Sequence, residues 1–589
     1  MPESWPSYSA CVTDYRPPID EIAFALKLAG YDKVADLDEF AHADYDTVVG
    51  MLAEAGDFMA KVLAPTNRDG DLIGAKHNPE DHSVTVPPSF KVAYDKLVES
   101  GWLTVPFPER YEGGGFPGSV GFAMQELVQS SNMAFSLGPL LTHGSTDAFL
   151  AYASEEIKDL YLPKMITGQW MGTMNLTEPE AGTDVGALKT KAVPNGDGSY
   201  SITGQKIFIT WGEHDLTENI VHLVLARTPG APEGTKGISL FVVPKFIPDA
   251  DGNLGERNSL KCLSIEHKIG IHGSPTCVMS YEGAKGWLVG EEHKGMRAMF
   301  VMMNVARLSV GMQGLSQSVR AYQQSLEYAK DRVQGRTVTG EKTIIGHPDV
   351  RRMLMMQKSN ITALRYLLML NAVQIDLAHH HPDEQVRARA EEMAGLLTPL
   401  CKSWGTDAGL ENTSLNIQIH GGSGYIEETG AAQFWRDIRI ALIYEGTNGV
   451  QAADLVARKM PVRQGQSFLE FISEMGETVP ALTAAGEDFA PLASGLERAL
   501  GTLGKVTGWM LQTGASGDVA SVLAGSEPYQ RLWALTVGAW LLAKAALHED
   551  APADALGVAK FFYAHQLAEV SALAVAATAG ADNVLGVEL

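Results

Sequence analysis

The spacing of apolar residues changes twice along the 589-residue chain, and this change limits the folds open to it. From Tyr15 to about Asn175, stretches such as residues 19–28, 45–62 and 120–130 repeat apolar side chains every three to four positions, the spacing of one helix face. From about Thr177 to Gly290 short alternating runs take over at 200–203, 206–210, 221–226 and 237–243, broken by Gly, Asp and Pro clusters, which reads as sheet. After Gly295 helical spacing returns, most clearly over 349–376 and 388–410, and it resumes beyond a polar break at 461–466. The pattern predicts an α+β multidomain chain: an N-terminal extension (1–40), an N-terminal helical domain (41–175), a middle β domain (176–290), a helical bundle (291–460) and an additional C-terminal helical domain (461–589). The length agrees, since a single hydrophobic core stops growing at about 300 residues.

Charge narrows the partners. With 46 Lys+Arg against 70 Asp+Glu the formal charge is −24, which repels nucleic acid phosphates and anionic membranes. Residues 461–589 hold 6 Lys+Arg against 14 Asp+Glu, so this segment offers duplex DNA no basic face. Cys11, Cys262, Cys277 and Cys401 are far apart and form no C-x-x-C pair, which points away from zinc and from a disulfide framework. The first fifteen residues lack a basic segment followed by an apolar one, and no apolar run of about 18 residues is evident, so a cytoplasmic enzyme without a membrane span is expected. His379, His380 and His381, just before Pro382, read as a solvated helix end and not a metal site. Met299, Met302 and Met303 read as core, with the lining of an acyl pocket as the alternative.

Four strings carry chemistry. Residues 174–185, MNLTEPEAGTDV, offer small and turn-forming groups whose N–H and hydroxyl donors suit a flavin ring or a diphosphate, or else simply connect a helix to a strand. In GQKIFITW (204–211), Phe208 and Thr210 share a strand face, where the aromatic could stack on a ring and the hydroxyl could bond its heteroatom; a plain core strand is the alternative. QIHGGSGY (418–425) puts three glycines where backbone can approach a ligand, and RDIRIALIYEGTNGVQ (436–451) follows. There Glu445 stands between Tyr444 and a Gly-Thr-Asn-Gly turn, at a helix boundary, as a general base or as a cap.

Taken together and in order, these strings resemble the acyl-CoA dehydrogenases over roughly residues 85–460. Further matches are 108–115, YLPKMITG (161–168), KIGIHGSPT (268–276), Arg307 before a small-residue helix, and Arg332 in DRVQGR. The resemblance implies FAD as cofactor, with Met174, Leu176, Thr177, Gly182, Thr183, Phe208 and Thr210 along the flavin. It implies Arg332, Gln418 and Gly422 at the FAD diphosphate, commonly of a neighbouring subunit, and Thr447 and Asn448 beside the base. Thr183, Arg307 and Gly446 would meet the acyl-CoA substrate. Glu445 would be the base, since the position used in some relatives is here Ala306, which cannot titrate. The family's frequent Ser before the Asp is Thr183, and its frequent Gln after the base is Gly449.

The resemblance also implies a reaction: removal of the α-proton by Glu445 with hydride passing from Cβ to flavin N5, and electrons leaving through an electron-transferring flavoprotein. It implies a homo-oligomer, dimer or tetramer. The segments before about Phe40 and after Pro461 resemble an enlarged branch of the family, which implies a short substrate such as 3-methylthiopropionyl-CoA; medium- and long-chain dehydrogenases of β-oxidation share the layout. An acyl-CoA oxidase and a DNA-binding relative are the other readings.

Overall fold

A computed structural model describes residues 15–589; Cys11 and most of the N-terminal stretch read for a signal sequence lie outside the described residues. The chain divides into two compact units. One, which carries the sheet, comprises residues 55–116 and 127–309; the other is helical and comprises the segment up to 54, residues 117–126 and residues 310–589.

In the sheet-bearing unit seven strands run in the order Trp170–Asn175, Asn219–Ala226, Ser239–Pro244, Thr276–Val289, Ser199–Thr210 and Lys191–Pro194, with Leu260–Ile265 also paired to Thr276–Val289. Asn219–Ala226 is buried at every position, as befits a strand with neighbours on both sides, parallel to Trp170–Asn175 and antiparallel to Ser239–Pro244. The helices Met133–Tyr152 and Glu155–Ile166 begin at side-chain caps: Asn132 Oδ1 accepts the Phe135 N–H at 3.0 Å and Ser154 Oγ that of Ile157 at 3.4 Å. Trp170, Tyr161, Phe149, Met299 and Met302 lie in one buried cluster, so the core reading holds for those two methionines.

In the helical unit Pro348–His380 and Glu384–His420 are packed against each other, and the helices after Pro461 pack onto them as part of the same unit. Trp404 meets Phe562 edge-on at 6.2 Å, and Phe471 stacks on Trp533 at 5.9 Å. A fully buried ion pair, Arg365 Nη2 to Glu126 Oε1 at 2.8 Å, ties Gly118–Ser131 to Pro348–His380. His379 and His380 are exposed at the end of their helix, where His380 pairs with Glu39 at 2.9 Å.

Three expectations are corrected. The sheet begins at Trp170, before the alternation starts, because that strand is almost entirely buried and so shows no polar face. In the 106–118 loop only Gly115 of the three glycines has positive φ, joined by Glu112; Gly113 serves close approach, since a Cβ there would lie 2.0 Å from the Phe107 carbonyl oxygen. Among the described residues one helix, Pro348–His380, is long and apolar enough to cross a membrane by length and composition, and 78% of its most apolar stretch is buried inside the protein, as in a core helix.

Candidate active site

In the sheet-bearing unit two adjacent segments gather the residues expected along a flavin. The Ile207 N–H donates to the Thr177 carbonyl at 2.9 Å, and Lys206 Nζ donates to the Leu176 carbonyl at 3.0 Å, so Leu176 and Thr177 lie against the strand that carries Phe208 and Thr210. Opposite Phe208 the pairing slips: Cys277 faces Ile209 but Met279 faces Lys206, leaving one residue across from two. Phe208 sits in this bulge at φ 59°, a conformation rare for an aromatic residue, and its side chain is 58% exposed. The strand therefore presents a ring to its surroundings instead of adding it to the core, while Ile209 next to it is buried. The Glu178–Ala181 turn, closed by reciprocal backbone bonds of 3.1 and 3.0 Å, brings up Gly182 and Thr183, both exposed, and a Cβ on Gly182 would meet nothing within 4 Å. Met174 is half-buried beside them in sequence.

What holds this edge is a buried pair that the sequence reading missed. Lys206 is wholly buried, and its ammonium donates to Glu178 Oε1 at 2.8 Å. Glu178 also accepts the N–H of Lys189 at 2.6 Å and of Thr190 at 3.1 Å. Burial pulls the Lys206 amine down to about 8 against the opposing pull of Glu178. The only signal in the sequence was a lysine at an inward position of an alternating strand.

In the helical unit Glu445 lies between the short helix Arg439–Leu442 and the helix Asn448–Asp454. Glu445 and Gly446 are both left-handed, at φ 57° and 84°, and the Gln451 amide donates to both their carbonyls at 3.2 and 3.3 Å. Tyr444 donates its hydroxyl to Gln313 Oε1 at 2.5 Å; burial first, and then the Glu445 charge, push its phenol upward. Thr447 caps the next helix, its hydroxyl accepting the Val450 N–H at 3.2 Å, so the cap is Thr447 and not Glu445. Asn448 spends its amide on the helix Glu384–His420, bonding Lys402, Thr406 and Asp407, a use not foreseen from the sequence.

Arg332 and the glycine string come together in the same unit. Ala329 and Ile419 share a buried cluster, and Tyr328 stacks on His420 at 4.2 Å. Arg332, Gln418 and Gly422 are all exposed, and a Cβ on Gly422 would meet nothing within 4 Å. A guanidinium, an amide and open backbone form a donor set suited to phosphate oxygens. Arg307 is buried in Gly295–Asp331, directly after the buried Ala306.

Family models agree with this order of segments. Those for the acyl-CoA dehydrogenase N-terminal, middle and C-terminal domains match residues 50–169, 173–284 and 293–460, and an acetyl-CoA dehydrogenase C-terminal-like model matches 471–588. The chain is 44% identical over 555 residues to 3-methylmercaptopropionyl-CoA dehydrogenase of Ruegeria pomeroyi, covering 93% of this chain and 94% of that one. It is 36% identical over 586 residues, 95% of each chain, to a broad-specificity linear acyl-CoA dehydrogenase of Mycobacterium tuberculosis. Among solved structures, Caenorhabditis elegans ACDH-11 in complex with C11-CoA has a TM-score of 0.79 at 19% identity, covering 94% of this chain and 91% of that one. An acyl-CoA dehydrogenase complexed with FAD from Bacillus anthracis has a TM-score of 0.69 at 21% identity, covering 90% and 88%. Matched in order by the family's three domains, and aligned almost end to end with two relatives above 30% identity, this chain belongs to the acyl-CoA dehydrogenase family.

Proposed function

We propose that this FAD-dependent acyl-CoA dehydrogenase converts 3-methylthiopropionyl-CoA to 3-methylthioacryloyl-CoA, with Glu445 as the base. The substrate reading is supported by 44% identity to an enzyme named for that thioester, over 93% of the chain. The base reading is supported by one observation above all: a carboxylate on a left-handed residue whose turn is fixed from Gln313 and Gln451. Electrons leave to an electron-transferring flavoprotein, and the working protein is a cytoplasmic homodimer or homotetramer.

The residues present fit FAD, because an exposed Phe208 offers a stacking face and Gly182 and Gly422 leave backbone open to approach. Met174, Leu176, Thr177, Gly182, Thr183, Phe208 and Thr210 would hold the ring side, and Arg332, Gln418 and Gly422 the diphosphate. When bound, FAD supplies the acceptor for the hydride that leaves Cβ. The chain's own part begins with the α-proton, which passes to the Glu445 carboxylate as the Cα–Cβ double bond forms. Backbone N–H at the base stabilises the thioester oxygen as negative charge develops there, an interaction worth about 3 kcal/mol. Thr183 and Gly446 border the substrate.

Anaerobic bleaching of the flavin by 3-methylthiopropionyl-CoA, butyryl-CoA and palmitoyl-CoA tests the substrate. The expected order of kcat/KM has the first highest; a maximum with palmitoyl-CoA replaces this reading with long-chain β-oxidation. Hydrogen peroxide formed at the turnover rate without an added carrier would make the enzyme an oxidase.

A further inference from the structure

Four residues on one face of Glu384–His420 converge on one side-chain amide three positions past Glu445. Asn448 Oδ1 accepts Lys402 Nζ at 2.8 Å, and Asn448 Nδ2 donates to Asp407 Oδ1 at 2.8 Å, to Thr406 Oγ1 at 3.0 Å and to the Ser403 carbonyl at 3.4 Å. With a cation facing its oxygen and an anion facing its nitrogen, the amide has one stable orientation. Capping is not the reason, since Thr447 already caps that helix. The left-handed turn at Glu445 and Gly446 is thereby held from three sides: Tyr444 by Gln313, the two carbonyls by Gln451, and Asn448 by the Lys402–Asp407 pair. Strained backbone of this kind persists only where its surroundings over-determine it.

The anchor does not end in the bundle. Ser526–Leu547, from the C-terminal helices, packs on Asn448–Asp454, and its Arg531 pairs with Glu569 at 2.9 and 3.1 Å. Burial raises the Asp407 carboxyl to about 6; the Asn448 bond, Arg531 and Lys402 pull it back and Glu527 opposes them. We propose that Asp407 is a positioning residue for the base, setting the placement of Glu445 through its hydrogen bond to Asn448. This rests on Glu445 being the base.

The test uses the full FAD-loaded enzyme and butyryl-CoA. Flavin reduction is followed by anaerobic stopped flow, ligand affinity by titration, and amide hydrogen exchange over residues 443–449 by mass spectrometry. Asp407→Ala is expected to slow reduction by at least about 10-fold, as displacement of a reacting group does, with substrate affinity and FAD content within about twofold of wild type. Exchange in 443–449 should quicken. Asp407→Asn, whose amide oxygen can still accept the Asn448 N–H, should recover most of the rate and slow the same amides again. Wild-type reduction with wild-type exchange in Asp407→Ala overturns the proposal, as does an equal loss of rate, affinity and FAD content in that variant, which marks a purely structural role. Glu445→Gln reducing flavin at the wild-type rate would instead remove the base assignment on which the proposal stands.

Discussion

A single glutamate in the left-handed region is costly enough to need a reason. The cost is on the order of 1–3 kcal/mol. At Glu445 the cap of the Asn448–Asp454 helix is not that reason, since Thr447 supplies it, and the proposed base role is one that a carboxylate held in this turn would serve. Glu445→Gln keeps the shape and the backbone donors, so FAD content and acyl-CoA affinity should be unchanged while anaerobic flavin reduction slows by at least about 10²-fold. Reduction at the wild-type rate would show that another group takes the proton. Glu445, Phe208 and the glycine string could be put forward from the sequence because their neighbours form a recognisable motif. Lys206, Asp407 and Lys402 could not, for a physical reason: a charged residue on a strand or helix reads as solvent-facing unless its partner, here Glu178 or Asn448, is known.

At the scale of elements, Asp376 shows how one helix starts on another. Its carboxylate, inside Pro348–His380, accepts the N–H groups of Gly118 at 2.9 Å and Ser119 at 2.8 Å, the opening residues of Gly118–Ser131. Burial pushes this carboxyl from an ordinary value near 3.8 up to about 6 in spite of those bonds. An acid whose folded pKa lies above its unfolded one binds protons more tightly in the native state. The stability it contributes is complete below about 4 and is lost as pH rises through about 6. Urea unfolding of wild type and Asp376→Asn should therefore show the wild-type advantage shrinking between pH 4 and pH 7 by on the order of 3 kcal/mol. A pH-independent difference would rule out the raised pKa. Such tertiary caps leave no local signature, which is why Gly118–Ser131 was visible as a periodic run but its start was not. Trp170–Asn175 escaped for the opposite reason: burial of both faces erased the alternation by which strands are read. The Phe208 bulge was hidden because a register slip is a property of two strands, and the sequence presents them one at a time.

Over the whole chain, the order of helical and sheet segments was legible because each persists over many turns or several strands, whereas the division into compact units was not. The helices after Pro461 follow a polar break and look detached in sequence, yet they fall within one unit with residues 310–460. Where their seam is apolar on both sides, as at Trp404 and Phe562, it carries no mark of which partner a side chain faces. Gly538 lies on it. A Cβ at this position would stand 2.7 Å from the Trp404 ring and 3.3 Å from that of Phe562, so the helix Ser526–Leu547 approaches Glu384–His420 only because residue 538 has no side chain. Gly538→Val adds a branched side chain where no volume exists, and overpacking of this kind costs about 1–3 kcal/mol. Valine also has the lower backbone entropy in the unfolded state, which offsets part of the loss. The expected net result is a lower urea midpoint with an unchanged slope. Loss of helical signal and of Trp404 burial should coincide, because bundle and C-terminal helices share this core. If the variant instead unfolded in two steps, with 461–589 melting first and the bundle keeping its wild-type midpoint, the seam would be a docking surface between independent domains and not a common core.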